Sequence, residues 1–299
     1  MTTTSHPTQA MTGPTVPRRQ LGRHLRALRN QARLTTKLAA QALEWSEPKL
    51  WRIETGQTAL RSLDVEAMCR VYGASAEVTQ GLMVLARETR SVGWWHAHDD
   101  IIPDWLDLYL GLEEAASRLR GYEPELVPGL FQTAGYAREV ISADRPDLGD
   151  DEVARRVQAR LARQALLSRV TAPLTAEVLL GENVLRCPVG GPQVMAEQLT
   201  LLADAAMLPN VSIRVVPVRA GLHRGVLSGP FAILRFPVNG DRQESEPPVV
   251  YVPSFPGALY LEQPGEIRRY QEVYTDIAAA ALDEPATRDL LLKAARTTS

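Results

Sequence analysis

A chain of 299 residues, 45% hydrophobic, with a formal charge of −2 and two cysteines, is long enough for two ordinary domains and apolar enough to fill a core. No apolar run reaches the ~18–20 residues of a membrane-spanning helix. The Thr/Pro-rich start has neither the basic beginning nor the apolar stretch of a secretory signal; residues 1–16 read as a disordered leader. Cys69 and Cys187 form no CxxC or metal-ligand spacing, so two reduced, buried thiols in a cytoplasmic protein are expected.

The charge is unevenly spread. Residues 18–73 carry eleven basic and five acidic side chains, a net +6, and the remainder carries −8. A compact basic head on an acidic body is the electrostatic outline of a DNA-binding domain joined to another. The first predicted helix carries Leu21, Leu25 and Leu28 on one stripe, interspersed with Arg23, Arg26 and Arg29. A second runs from Thr36 to Leu43 with Thr35 as its cap. After a turn at Glu44-Trp45, Ser46 is the N-cap candidate of a third helix, with Pro48 in its first turn and Gly56 at its end. That helix turns Leu50 and Ile53 inward. A fourth, near Ser62–Tyr72, buries Leu63, Ala67, Met68 and Val71 and stops at Gly73. Short helices with brief turns at 17–74 describe a helix-turn-helix.

The stretch LTTKLAAQALEWSEPKLWRIETG resembles the core of the XRE (lambda-repressor-like) helix-turn-helix family. It matches at Leu34, Thr35, Ala39, Leu43, Ser46, Leu50, Ile53, Glu54 and Gly56. The resemblance implies that the third helix enters the major groove by its N-terminal residues. With Leu50 and Ile53 inward, Glu47, Lys49 and Arg52 are the base-reading candidates. Arg or Lys pairs with guanine and Glu accepts from cytosine, which suggests a G·C-containing half-site. Glu47 is equally explained as a solvated acid at the helix start, and Lys49 as a phosphate contact. Arg33, Thr36, Lys37 and Thr55 are the phosphate candidates; the family more often has Gln at the position of Thr36. The family also pairs an arginine of the first helix with the glutamate ending the third, which implies an Arg29–Glu54 ion pair supporting the recognition helix, with Ser46 as its cap. Trp51 is expected to pack on the first helix, with contact to thymine methyls or sugars as the alternative.

A short helix at Val78–Ala86 opens a connecting segment over 75–101. It continues into SVGWWHAHDDIIPDW, where His96, His98, Asp99 and Asp100 read as a polar turn or, less simply, a metal site without an identifiable third ligand group. A long helix is expected over 102–122, then helices at 133–142 and 151–168. Arg155, Arg156, Arg160 and Arg163 on the last read as a solvated face rather than an anion patch. Strand-like runs follow at 174–180, 211–218, 229–236, 247–253 and 257–262, with helices at 192–206, 264–282 and 284–296. The expected body over 102–297 is therefore an α+β domain with a mostly antiparallel sheet, behind an all-α head of four to five helices.

The segments YLGLEEAASRLRGYEPELVPGLFQTAGYAREVI, LLGENVLRC, LPNVSIRVVPV and VVYVPS resemble the uncharacterised C-terminal domain that follows XRE heads in antitoxin-like regulators of high-GC Gram-positive bacteria. That resemblance implies a partner, effector or dimerisation role for the body and brings no catalytic residues. No P-loop, GxGxxG, nucleophile elbow or HExxH is present, so no cofactor and no enzyme activity is expected. The expected function is a homodimeric transcriptional regulator that binds double-stranded DNA. An antitoxin-like protein clasping a small protein partner, a small-molecule effector on the body, and an enzyme with a DNA-binding head are the alternatives.

Overall fold

The computed structural model describes residues 15–89, 102, 104–238, 244–255 and 257–298. The chain divides into two compact units. The first is helical: α1 (Thr15–Gln31), α2 (Thr36–Ala42), α3 (Glu47–Glu54), α4 (Ser62–Tyr72) and α5 (Ala76–Glu88), with residues 107–115 of α6 (Asp104–Ala115) grouped beside them. Local signals set most boundaries. The hydroxyl oxygens of Thr35, Ser46 and Ser75 accept the N–H groups of Leu38, Lys49 and Val78, capping α2, α3 and α5. Gly73 ends α4 at φ 71°, a left-handed conformation that glycine adopts without Cβ strain.

The helices close over Leu21, Leu25, Leu50, Ile53, Leu60, Val65 and Met68. α1 begins at Thr15, inside the stretch read as leader, and the Arg18 guanidinium ties it to the end of α5 by donating to the Thr89 carbonyl at 3.1 Å. α4 is rotated from its expected phase. Its buried stripe is Val65, Met68, Cys69 and Tyr72, and Leu63 is 73% exposed.

The second unit is an α+β body. Its six strands are β1 (Arg118–Glu123), β2 (Thr175–Gly181), β3 (Val211–Val216), β4 (Phe231–Arg235), β5 (Val249–Ser254) and β6 (Gly257–Leu261), in the order β3-β2-β1-β4-β5-β6. Pairings β1–β2 and β2–β3 are parallel, and β1–β4, β4–β5 and β5–β6 are antiparallel, so the sheet is mostly antiparallel as expected. The other helices are α7 (Ala134–Asp144), α8 (Asp150–Ala162), α9 (Ala165–Ser168), α10 (Gly191–Ala205), α11 (Arg224–Ser228), α12 (Pro264–Ala280) and α13 (Glu284–Thr298). α12 packs Ile267, Val273, Tyr274 and Ile277 against Tyr122, Leu179, Val216, Phe231 and Val250 of the sheet.

The expected helix over 102–122 stops at Ala115, and RLRGYE is a central strand instead. Arg118 and Arg120 face Glu177 of β2 at 2.9 and 3.0 Å, and Arg120 also lies over the Tyr274 ring of α12. The charges that resembled a helix surface are thus paired across strands. The free edge of β3 is closed by the α12–α13 link: Leu282 donates its N–H to the Val215 carbonyl at 2.8 Å, and Val215 donates to the Thr287 hydroxyl at 3.0 Å.

Arg160 is not on a solvated face. It donates to the buried Gln132 side chain at 2.8 Å, and burial and the neighbouring Arg163 pull its pKa down to about 10. Cys187 is exposed and Cys69 buried, so only one of the two thiols is in a core.

Candidate nucleic-acid interface

α3 is held at both ends. Ser46 caps its start, accepting the Lys49 N–H at 3.3 Å. At the other end, two glycines bring α1 close. A Cβ on Gly22 would sit 2.6 Å from the Ile53 carbonyl oxygen, and Gly56, at φ 76°, lies against Arg19 just as tightly. Backbone therefore meets backbone where α1 crosses the end of α3, a separation that any larger side chain at residue 22 would force wider.

Beside this crossing, Arg29 and Glu54 form a forked ion pair. Arg29 Nε donates to Glu54 Oε1 at 2.6 Å and a terminal nitrogen donates to Oε2 at 2.8 Å. The other terminal nitrogen donates to the Leu34 carbonyl at 2.8 Å, in the loop before α2. The side chains are 9% and 5% exposed, so one buried fork ties together α1, the turn before α2 and the end of α3. The hydrogen bonds from the guanidinium to Glu54 raise the Arg29 pKa, against the opposing effect of burial. Burial, reinforced by the Glu54 carboxylate, pushes the nearby Tyr72 phenol well above its ordinary range.

With Leu50 and Ile53 in the core and Glu54 in the fork, the outer face of α3 presents Glu47, Pro48, Trp51 and Arg52 to solvent. Trp51 does not pack away as expected: it is 55% exposed. Lys49 stands half-buried at the side, its Nζ 3.8 Å from the centroid of the Trp45 ring, a cation–π contact. Among the phosphate candidates, Arg33 and Lys37 are exposed and Thr36 is half-buried at the start of α2. Arg33 is at φ 57°, just past the end of α1. The Thr55 hydroxyl donates to the Trp51 carbonyl at 2.8 Å and so closes α3 internally. The turn between α2 and α3 carries Glu44 at φ 56°. The Lys49–Trp45 contact had no signal in the sequence beyond the i, i+4 spacing of an aromatic and a cation.

The arrangement is a basic helical unit with a capped, clamped helix whose outer face carries one arginine, one carboxylate and one indole, the geometry of a helix-turn-helix reader. Residues 20–82 match the family model described as "Helix-turn-helix domain", a class that DNA-binding regulators use. The chain belongs to the family "Domain of unknown function (DUF5753)", whose model matches residues 106–293. Comparison with curated proteins and with solved structures gives no match. Among the described residues, no helix is long and apolar enough to cross a membrane, and no three His, Cys, Asp or Glu side chains are grouped to hold a metal ion. His96, His98, Asp99 and Asp100 lie outside the described residues.

Proposed function

We propose that this protein is a sequence-specific transcriptional regulator of the XRE type, which binds double-stranded DNA as a homodimer and inserts α3 into the major groove. The observation that carries this reading is the exposed outer face of α3 on a helix otherwise fixed by its cap, the Gly22 crossing and the Arg29–Glu54 fork. Arg52 reads guanine by its two-donor fork, and Glu47 accepts from cytosine or stabilises the helix start. Lys49 leaves Trp45 for a guanine or a phosphate, and Trp51 lies against thymine methyls or sugars. Arg33 and Lys37 contact phosphate, with Thr36 as a shorter-reaching partner. A single head of this size has a small interface, so two half-sites about one DNA turn apart supply the specificity. The body supplies dimerisation and a binding function rather than catalysis.

The test is selection of bound fragments from sheared genomic DNA, with the Arg52→Ala/Lys49→Ala double variant alongside. A few sharp, roughly two-fold-symmetric sites, lost in the variant, are expected. Sites upstream of the protein's own gene and a small neighbouring gene would add autoregulation in the antitoxin-like manner. Diffuse, salt-sensitive recovery that is equal for both proteins would overturn the reading.

A further inference from the structure

The three parallel strands β1, β2 and β3 end together at Glu123, Gly181 and Val216. In open sheets the crevice outside such carboxyl ends is a favoured ligand position, because the backbone leaves the layer there in different directions. A crevice of about 340 Å³ lies at that place, between the strand ends and the segment that leads through α11 to β4. Its walls include Tyr122 in β1, Pro124 and Glu125 just after it, Glu182 after β2, Val218 after β3, and His223 and Val226 around α11. The roof is anchored by Arg224, which donates to Asp276 of α12 at 2.9 Å.

Three features define what fits. First, the lining carries two carboxylates, Glu125 and Glu182, and no lysine or arginine. Glu182 is already committed, accepting the Val218 N–H at 2.8 Å and a bond from Arg186. Glu125 is exposed at the rim with no such partner among the described residues. Second, Tyr122 is only 2% exposed, and its hydroxyl makes no hydrogen bond among the described residues. Its ring meets His223 edge-on at 6.0 Å and Phe231 at a tilt. Tyr122 lines the crevice, so a polar group bound there would meet its hydroxyl. Third, Val218, Leu222, Val226 and Leu227 on the roof segment are all more than half exposed, and Val218 and Val226 line the crevice with Pro124. Imidazole Nδ1 of His223 accepts the Gly225 N–H at 3.1 Å, which fixes the ring at the start of α11.

We propose that this crevice binds a small, mostly apolar amine: its cationic nitrogen is received by the Tyr122 hydroxyl and the Glu125 carboxylate, and its apolar part lies against Pro124, Val218 and Val226. With Glu182 paired to Arg186, the Glu125 carboxylate is the uncompensated charge of the lining, and it selects against an anion. The proposal deepens the effector-binding role read for the body, and it is tested without DNA, so its failure leaves the DNA-binding reading untouched.

The experiment is calorimetric titration of the full chain with tryptamine as the probe, against indole-3-propionate, an acid of similar shape. Tryptamine is expected to bind with Kd on the order of 100 µM, in keeping with its size, and the acid at least tenfold more weakly. Tyr122→Phe removes only a hydroxyl that makes no bond in the free protein, so it should fold normally and weaken tryptamine at least fivefold. Glu125→Gln, at an exposed position, should weaken it about tenfold. No heat with tryptamine up to millimolar concentration, equal binding of amine and acid, or unchanged affinity in both variants would overturn the proposal.

Discussion

The fork between Arg29 and Glu54 gives the sharpest test of how α3 is held. Replacing only Glu54 with leucine leaves a guanidinium at 9% exposure with one remaining partner, the Leu34 carbonyl. Replacing only Arg29 with methionine leaves a buried carboxylate beside Tyr72. Each change strands a charge away from water and should cost about 3–5 kcal/mol. For a helical unit of this size, that lowers the midpoint of thermal unfolding by about 15 °C or more. The double variant Arg29→Met/Glu54→Leu strands no charge and fills the same space with apolar atoms. It should recover to within about 1–2 kcal/mol of the parent, the residual loss coming from the Leu34 carbonyl. Thermal melting of the full chain by circular dichroism reads these values, and electrophoretic mobility shift on a selected site reads DNA binding. The double variant is expected to fold yet lose at least tenfold in specific binding, because two apolar chains do not fix the angle of α3 as a two-bond fork does. A double variant as unstable as the singles would refute the charge argument. One that binds its site like the parent would refute the positioning argument.

Two further predictions concern stability. Glu44 is at φ 56°, in the turn between α2 and α3, so Glu44→Gly should stabilise the helical unit by about 0.5–1 kcal/mol, whereas Glu44→Ala, which keeps the Cβ, should not; paired thermal melts decide it. Burial pushes the Glu123 carboxyl up to about 8. Its proton is held more tightly in the fold than in the unfolded chain, so the stability it contributes is full below the ordinary carboxylate range and lost as pH rises through about 8. Glu123→Gln should flatten the urea-stability profile across that window and gain on the order of 2–3 kcal/mol at pH 8.5, the full shift being discounted for partial exposure. An unchanged slope would show that the carboxyl reaches water.

Local chemistry in the sequence determined much of the helical unit. Thr35 and Ser46 are short side chains whose oxygens satisfy helix-start N–H groups within three residues, and Gly73 accepts a left-handed turn; such signals act over one helical turn and need no distant partner. Apolar spacing likewise placed Leu50 and Ile53 inward and left Glu47 and Arg52 outside. What the tertiary structure decided involves partners far apart in the chain. RLRGYE carries arginines at alternate positions, a pattern that continues the preceding helix equally well; Glu177, more than fifty residues later, makes it a strand. Arg160 read as a solvated charge because nothing near it in the chain signals that the turn containing Gln132 folds over it. Trp51 read as a packing residue because indoles favour burial, yet α1 approaches α3 so closely at Gly22 that the core side of the helix is filled by Leu50 and Ile53, and the indole faces out. The crevice at the ends of β1, β2 and β3 has no counterpart in any single segment: it exists because three parallel strands finish at one level and a glycine-bounded turn returns across them. Periodicity and capping are properties of neighbours in sequence, whereas strand pairing, buried charge and cavities depend on which distant segments meet.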